Sequence, residues 1–226
     1  MDKRDIDIPV GQNEEVLRIS EILKLADSYM QKGEYQVARI LYTRASASDA
    51  GKLALARFYL KSEVKLDIPI VERKRQAEQI LLGMDIHKGR YRAEACSLLT
   101  QLYSQVSKYV SALGYRLRAE RIRGTATTDM VSKALTALQK HSVTVLEEDS
   151  HGAYILAEEL GYYKGNVIRQ WESCLFQAAA EFGKGVYAGI AAQRLAEMYS
   201  EENPEIASRY RILAYKLGNP ELLSRN

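Results

Sequence analysis

The feature that most constrains this chain is a short pattern of small and large apolar residues that returns along its length at irregular intervals. Its fullest copy runs Leu25-Ala26-Asp27-Ser28-Tyr29 and continues through Gly33, Tyr35, Ala38, Tyr42 and Ala45. Alanines on facing helical segments let two axes approach closely, and a glycine between the segments supplies the positive φ at which the chain reverses. The unit is therefore a helix hairpin. Its apolar face is too wide to bury alone, so it must stack on further hairpins. Partial copies stand at Leu55-Ala56-Arg57-Phe58-Tyr59, Leu99-Thr100-Gln101-Leu102-Tyr103, Leu156-Ala157-Glu158-Glu159-Leu160 and Leu195-Ala196-Glu197-Met198-Tyr199. Their leading leucines lie 30, 44, 57 and 39 residues apart, so the two-helix unit persists while its loop length does not.

Apolar periodicity places helices at 13–32, 35–46, 49–61, from Pro69 to about Gly89, at 92–105 and at 108–123. Others follow at 151–164, 167–182, 186–200 and 204–217. Pro69 is expected in a first helical turn, where its missing N–H costs nothing. Residues Gly124 to Asp149 break the pattern: a loop and helix start at 125–129, a short helix over 130–140 and an irregular apolar run from Val143 to Leu146. The expected organisation is a flexible segment at 1–15, helix pairs over 16–123, an insertion at 124–149 and further pairs over 150–226. Only four prolines and 14 glycines occur in 226 residues, against the turn-rich composition of an all-β protein, and a 46% apolar content is enough for a substantial core.

In nearly every packing position, Leu25 to Ala45 resembles a tetratricopeptide repeat. The stretch Ala192 to Tyr199, with Ala207, Tyr210, Ala214 and Gly218-Asn219-Pro220-Glu221, is similar to the related Sel1-like repeat, whose loops vary in length. The resemblance implies an all-α fold: a right-handed α-solenoid of about five antiparallel helix pairs, with the insertion near 124–149. It further implies a non-catalytic scaffold or adaptor for protein–protein interaction, of a mainly bacterial type used in envelope, secretion and polysaccharide assembly. Carried over by register, the inner groove would be lined by Asp27, Gln31, Arg57, Lys61, Gln101 and Gln105 in the first half. Tyr154, Glu158, Tyr162, Gln193 and Glu197 would line the second. Tyr154 and Tyr162 are expected to be exposed there, and Trp171 is expected as a core anchor. The partner would be a protein or peptide; no cofactor or metal is implied.

The remaining chemistry is sparse. His87, His141 and His151 lack the i, i+4 spacing of a helical metal pair and read as surface histidines. Glu147-Glu148-Asp149 reads as a solvated segment favoured by a helix N-terminus. Glu158-Glu159 points in two directions on its helix and has no evident fixed partner. Arg116, Arg118, Arg121 and Arg123 support an alternative reading as a nucleic-acid-binding array. At 100° per residue, though, they flank a buried stripe of Tyr115, Ala119 and Ile122 on solvated sides instead of forming one phosphate-tracking face. With 32 basic against 29 acidic residues, the near balance of charge argues against a nucleic-acid partner. A third reading is an enzyme whose site is built by the insertion. Cys96 and Cys174 are expected as buried free thiols. No stretch reaches the ~20 apolar residues of a membrane span. As it stands the chain reads as cytoplasmic, or as periplasmic if a signal peptide preceded it.

Overall fold

The structure, a computed structural model, describes residues 19–139, 146 and 148–217. The expected segment at 1–15, His141, the run 143–145, Glu147, the Gly218–Glu221 turn and Leu222–Leu223 lie outside the described residues. Among the described residues there are eleven helices and no strand: α1 (Ile19–Gln31), α2 (Tyr35–Ala45), α3 (Asp49–Leu60), α4 (Ile70–Ile86), α5 (Arg92–Gln105), α6 (Tyr109–Arg123), α7 (Thr128–Gln139), α8 (Ser150–Leu160), α9 (Asn166–Phe182), α10 (Val186–Tyr199) and α11 (Pro204–Lys216).

Five antiparallel pairs, α1/α2, α3/α4, α5/α6, α8/α9 and α10/α11, account for ten of these, and each pair packs on the next. The alanines of the repeat do what their size allows. Ala26, Ala38, Ala45, Ala56, Ala157 and Ala214 are all fully buried where helix axes draw close. Tyr42 and Phe58 meet between α2 and α3 with ring centroids 5.1 Å apart, which stitches the first pair to the second. Gly33 has φ +77°, as its turn requires.

Some expectations need correction. Leu25, which leads the fullest copy of the repeat pattern, is 45% exposed; Ile22 and Ala26 are the residues of α1 that are buried. Ile40 is likewise exposed. Pro69 is the residue before α4 and lies outside its first turn. The α8 helix ends at Leu160, four residues short of Lys164, where Tyr163 turns its N–H onto the Leu160 carbonyl. Cys174 is exposed; only Cys96 is a buried thiol.

The largest departure lies where the repeat is interrupted. Ser111 meets Asp149 and Gly152, Gly114 faces Ile155 and Leu156, and Arg118 meets Glu158 and Glu159. Residue numbers rise together along both helices, so α6 and α8 run parallel. The two helices of each hairpin, by contrast, run antiparallel. The insertion is what permits this: Gly124 ends α6 at φ +73°, α7 packs on α6 and buries Val131, Ala134, Leu135 and Leu138, and the chain returns to start α8 beside the start of α6. The helices can approach because Gly152 has no side chain: a Cβ there would lie 2.2 Å from the Ser111 nitrogen. The insertion thus leaves the array in contact across a seam instead of splitting it.

Candidate functional site

A ladder of charged groups holds the seam. Arg118, on α6, is 5% exposed, and three of its donors are used. Nε donates to Glu159 Oε1 at 2.7 Å, Nη1 to Asp85 Oδ2 at 2.5 Å and Nη2 to Glu158 Oε2 at 2.8 Å. Glu159 is completely buried and also accepts from Arg121, through Nε at 2.6 Å and Nη2 at 3.2 Å. Arg92 donates to Asp85 at 2.7 Å. Three carboxylates and three guanidiniums therefore balance, and four helices (α4, α5, α6 and α8) are tied together. Burial opposes the charge of Arg118, but Asp85 and Glu159 outweigh it and drive its pKa upward, so it stays cationic. Burial also works against the Asp85 carboxylate, yet Arg118 and Arg92 hold it below the ordinary range.

This overturns two expectations. Arg118 does not sit on a solvated flank, because it stands three residues after Tyr115 and four before Ile122, on the buried stripe itself, and Arg121, partly exposed at the cleft, is committed to Glu159. Glu158 and Glu159 do have fixed partners. Of the four arginines, Arg116 is exposed and Arg123 leaves the groove to donate to Ser97 Oγ at 2.7 Å. The signal that could have revealed the ladder is a charge at a stripe position on three separate helices: Asp85 beside Leu81 and Met84, Arg118 beside Tyr115, and Glu159 beside Leu156. A buried charge demands a partner, so such residues point to one another.

Below the ladder, Asp149 is buried and not part of a solvated segment. One oxygen accepts from the Ser111 backbone N–H at 2.7 Å, the other from Ser111 Oγ at 2.6 Å and from Gly152 N–H at the start of α8. It is an N-cap that also staples the two parallel helix starts together. His151 follows, 3.1 Å from the Tyr115 hydroxyl and 4.8 Å from the Tyr187 ring, edge-on. It belongs to an aromatic layer and not to the surface. Burial lowers its pKa, and Lys108 and Arg118 add to that against the opposing pull of Asp149 and Glu78.

Above the ladder the seam opens into a cleft of about 590 Å³. It brings together three of the groove residues expected from sequence, Glu158, Tyr162 and Glu197, with Lys88, Arg92, Arg121, Glu172 and Arg194. Tyr162 is 65% exposed, and the Arg121 guanidinium lies 4.0 Å from its ring centroid. Glu172 has no ion pair among the described residues, and burial raises its pKa. Tyr154 corrects the expectation of exposure: it is 5% exposed, packed on Phe176 and Tyr187, with its hydroxyl donating to Glu158 Oε1 at 2.7 Å. Gln193 does not line the cleft but donates to Glu197 at 3.2 Å. Trp171 is partly buried against the core.

A second, smaller cleft of about 350 Å³ lies between α1 and α3 and gathers Asp27, Arg57 and Lys61 over Leu23, Leu53 and Phe58. Asp27 accepts from the Tyr42 hydroxyl, and Lys61 Nζ lies 3.2 Å from Met30 Sδ. Gln31, Gln101 and Gln105 are exposed but line neither cleft. Among the described residues no helix is long and apolar enough to cross a membrane, and no group of three His, Cys, Asp or Glu is placed to hold a metal ion. Comparison with protein-family models, curated proteins and solved structures returned no match to this chain.

Proposed function

We propose that this protein is an interaction scaffold: a right-handed solenoid of tetratricopeptide and Sel1-like units that holds an extended segment of a protein partner along its helix pairs. The observation that carries this reading is the seam cleft, where exposed side chains from both halves stand around a rigid ionic wall. The first helices of successive pairs touch, α1 with α3, α3 with α5 and α8 with α10, which gives a partner a succession of equivalent surfaces. A wall whose side chains are already fixed loses little conformational entropy when a partner docks. The exposed Tyr162 supplies the kind of aromatic anchor from which such interfaces draw affinity. The nucleic-acid alternative is weakened, since two of the four arginines it needs are committed to buried carboxylates.

The test is affinity purification from the native cell with the wild type and with Tyr162→Ala, Glu197→Lys and Arg116→Glu. The expected result is a discrete protein that co-purifies with the wild type and Arg116→Glu and is lost with the two cleft variants. Retention in every variant, or recovery of RNA in place of protein, overturns the reading.

A further inference from the structure

The seam cleft is formally almost neutral, but its charges are not equally available. Asp85 and Glu159 face inward: Asp85 is nearly buried and Glu159 fully so, and their oxygens already accept from Arg92, Arg118 and Arg121. Glu158 is held by Arg118 and Tyr154, Glu197 by Arg194 at 3.1 Å, and Glu172, which has no ion pair among the described residues, is disfavoured as a charged group by its burial. The donors are not used up in the same way. Arg92 gives only Nε to Asp85, and Arg121 gives Nε and Nη2 to Glu159, so both Nη atoms of Arg92 and Nη1 of Arg121 are left over. Those leftover atoms are reached by solvent, because among the described residues Arg73 Nε is the one buried side-chain nitrogen or oxygen without a partner. Lys88 adds an exposed ammonium that makes no ion pair among the described residues, held at the rim by a left-handed backbone, φ +52°.

We infer that the seam cleft binds an acidic segment of the partner protein, with a carboxylate side chain seated among Lys88, Arg92 and Arg121. The inference rests on the peptide-binding reading above and names the chemistry of its ligand. Carboxylates are matched by guanidinium edges held in a fixed plane, and here two edges are locked from behind by the buried acids, so they cannot turn away. The Arg121 edge is further held against the Tyr162 ring. A residue adjacent to the carboxylate would lie on Tyr162, Phe176 and Met198, which supply the apolar part of the lining. The cleft volume falls within the ~300–1,000 Å³ of ordinary ligand sites, enough for a few side chains and too little for a folded element. The site also depends on the parallel seam, because Lys88 comes from the α4–α5 turn and Arg92 from the start of α5, while Tyr162 and Phe176 come from beyond the insertion.

The experiment is a fluorescence-polarisation titration of the full chain with short labelled peptides on one Gly/Ser/Leu background. They carry glutamates, glutamines or lysines at the same positions, and an RNA oligonucleotide is run in parallel. Lys88→Glu is the informative variant, since Lys88 is exposed and outside the buried ladder, whose pairs it leaves intact; Arg116→Glu is the control. The glutamate peptide should bind in preference to the other two, with affinity that falls as salt rises. Lys88→Glu should weaken it about tenfold, in line with one charge-assisted hydrogen bond, and Arg116→Glu should not. Equal binding of the three peptides overturns the anion preference while leaving the groove in place. Tighter RNA binding that is lost in Lys88→Glu replaces the peptide with a nucleic acid. If no peptide binds, this inference fails, while the scaffold reading is judged by the co-purification experiment.

Discussion

Removing the charge of Glu159 tests the account of the seam most directly. Glu159→Gln keeps the shape of the side chain but leaves the buried cluster with three guanidiniums and two carboxylates. Three hydrogen bonds now end on Glu159, two from Arg121 and one from Arg118, and an amide can accept only at its oxygen. Stranding a buried charge costs about 3–5 kcal/mol, a large share of the ~5–15 kcal/mol by which a domain is stable. At about 2–4 °C per kcal/mol for a chain of this size, the melting temperature should drop by roughly 6–20 °C. The matched control is Glu197→Gln, whose pair with Arg194 is about half exposed on both sides and is worth ~0–1 kcal/mol. Urea denaturation followed by far-UV circular dichroism measures both. A double-mutant cycle then isolates the pairing. Arg118→Met with Glu159→Leu leaves Asp85 to Arg92 and Glu158 to Tyr154, and Arg121 loses Glu159 alike in the single and the double variant, so the double variant should be more stable than the sum of the single losses by ~1–3 kcal/mol. A Glu159→Gln loss no greater than the Glu197→Gln loss, or strict additivity in the cycle, would refute the ladder as a structural element.

Other consequences follow from the same geometry. His151 is held neutral by burial, so folding lowers its pKa; the unfolded chain then binds the extra proton, and stability should fall as pH drops below about 6.5. His151→Gln should flatten that part of a stability–pH profile, and an unchanged slope would show that another group titrates there. Gly152→Ala should cost more than the ~1–3 kcal/mol of ordinary overpacking, because its Cβ meets Ser111 backbone, while Gly83→Ala, with nothing within 4 Å, should gain ~0.5–1 kcal/mol of helix stability; thermal melts of the two check the contrast. Ala38→Leu should lose about 1–3 kcal/mol in the same assay, as its site is fully buried between helices, whereas substitutions at exposed Arg44 in the same helix should lose little. Thiol titration of the native protein should label Cys174 ahead of Cys96, which becomes reactive only on unfolding.

What could be read from sequence is what is encoded locally. The helices and their turns follow from alanine and leucine spacing and from Gly33 and Gly124, all of which act within a few residues of themselves, and α5 falls at 92–105 as expected. The buried ladder was not legible in the same way, because its meaning lies in pairs far apart in the chain: Arg118 is 33 residues from Asp85 and 41 from Glu159. Each charge taken alone resembles one on a solvated helix side. The groove positions divided on the same ground. Glu158, Tyr162 and Glu197 converge because the seam brings three helix ends together. Tyr154 follows the aromatic layer inward instead, since Phe176 and Tyr187 cover it.

The parallel seam gives a physical reason for polar groups in a place that could have been filled with leucine. Two parallel helices that met through an apolar stripe alone could slide by a turn with little loss, since one stripe residue replaces another three or four positions on. Here the pairing is fixed at several heights: Ser111 with Gly152, Gly114 with Ile155, and Arg118 with Glu159 share one offset of 41 residues. Sliding by a turn would bring the Gly152 gap opposite a residue other than Ser111, take Asp149 from the Ser111 N–H and part Glu159 from Arg118. Each of these losses is of the order of a buried unsatisfied group, about 1–3 kcal/mol, or more where a charge is involved. Register in the rest of the array is set by short turns. At the seam, where the insertion stands between the two helices in place of a short turn, the ladder takes over that role, and the cleft that depends on both halves inherits its shape from it.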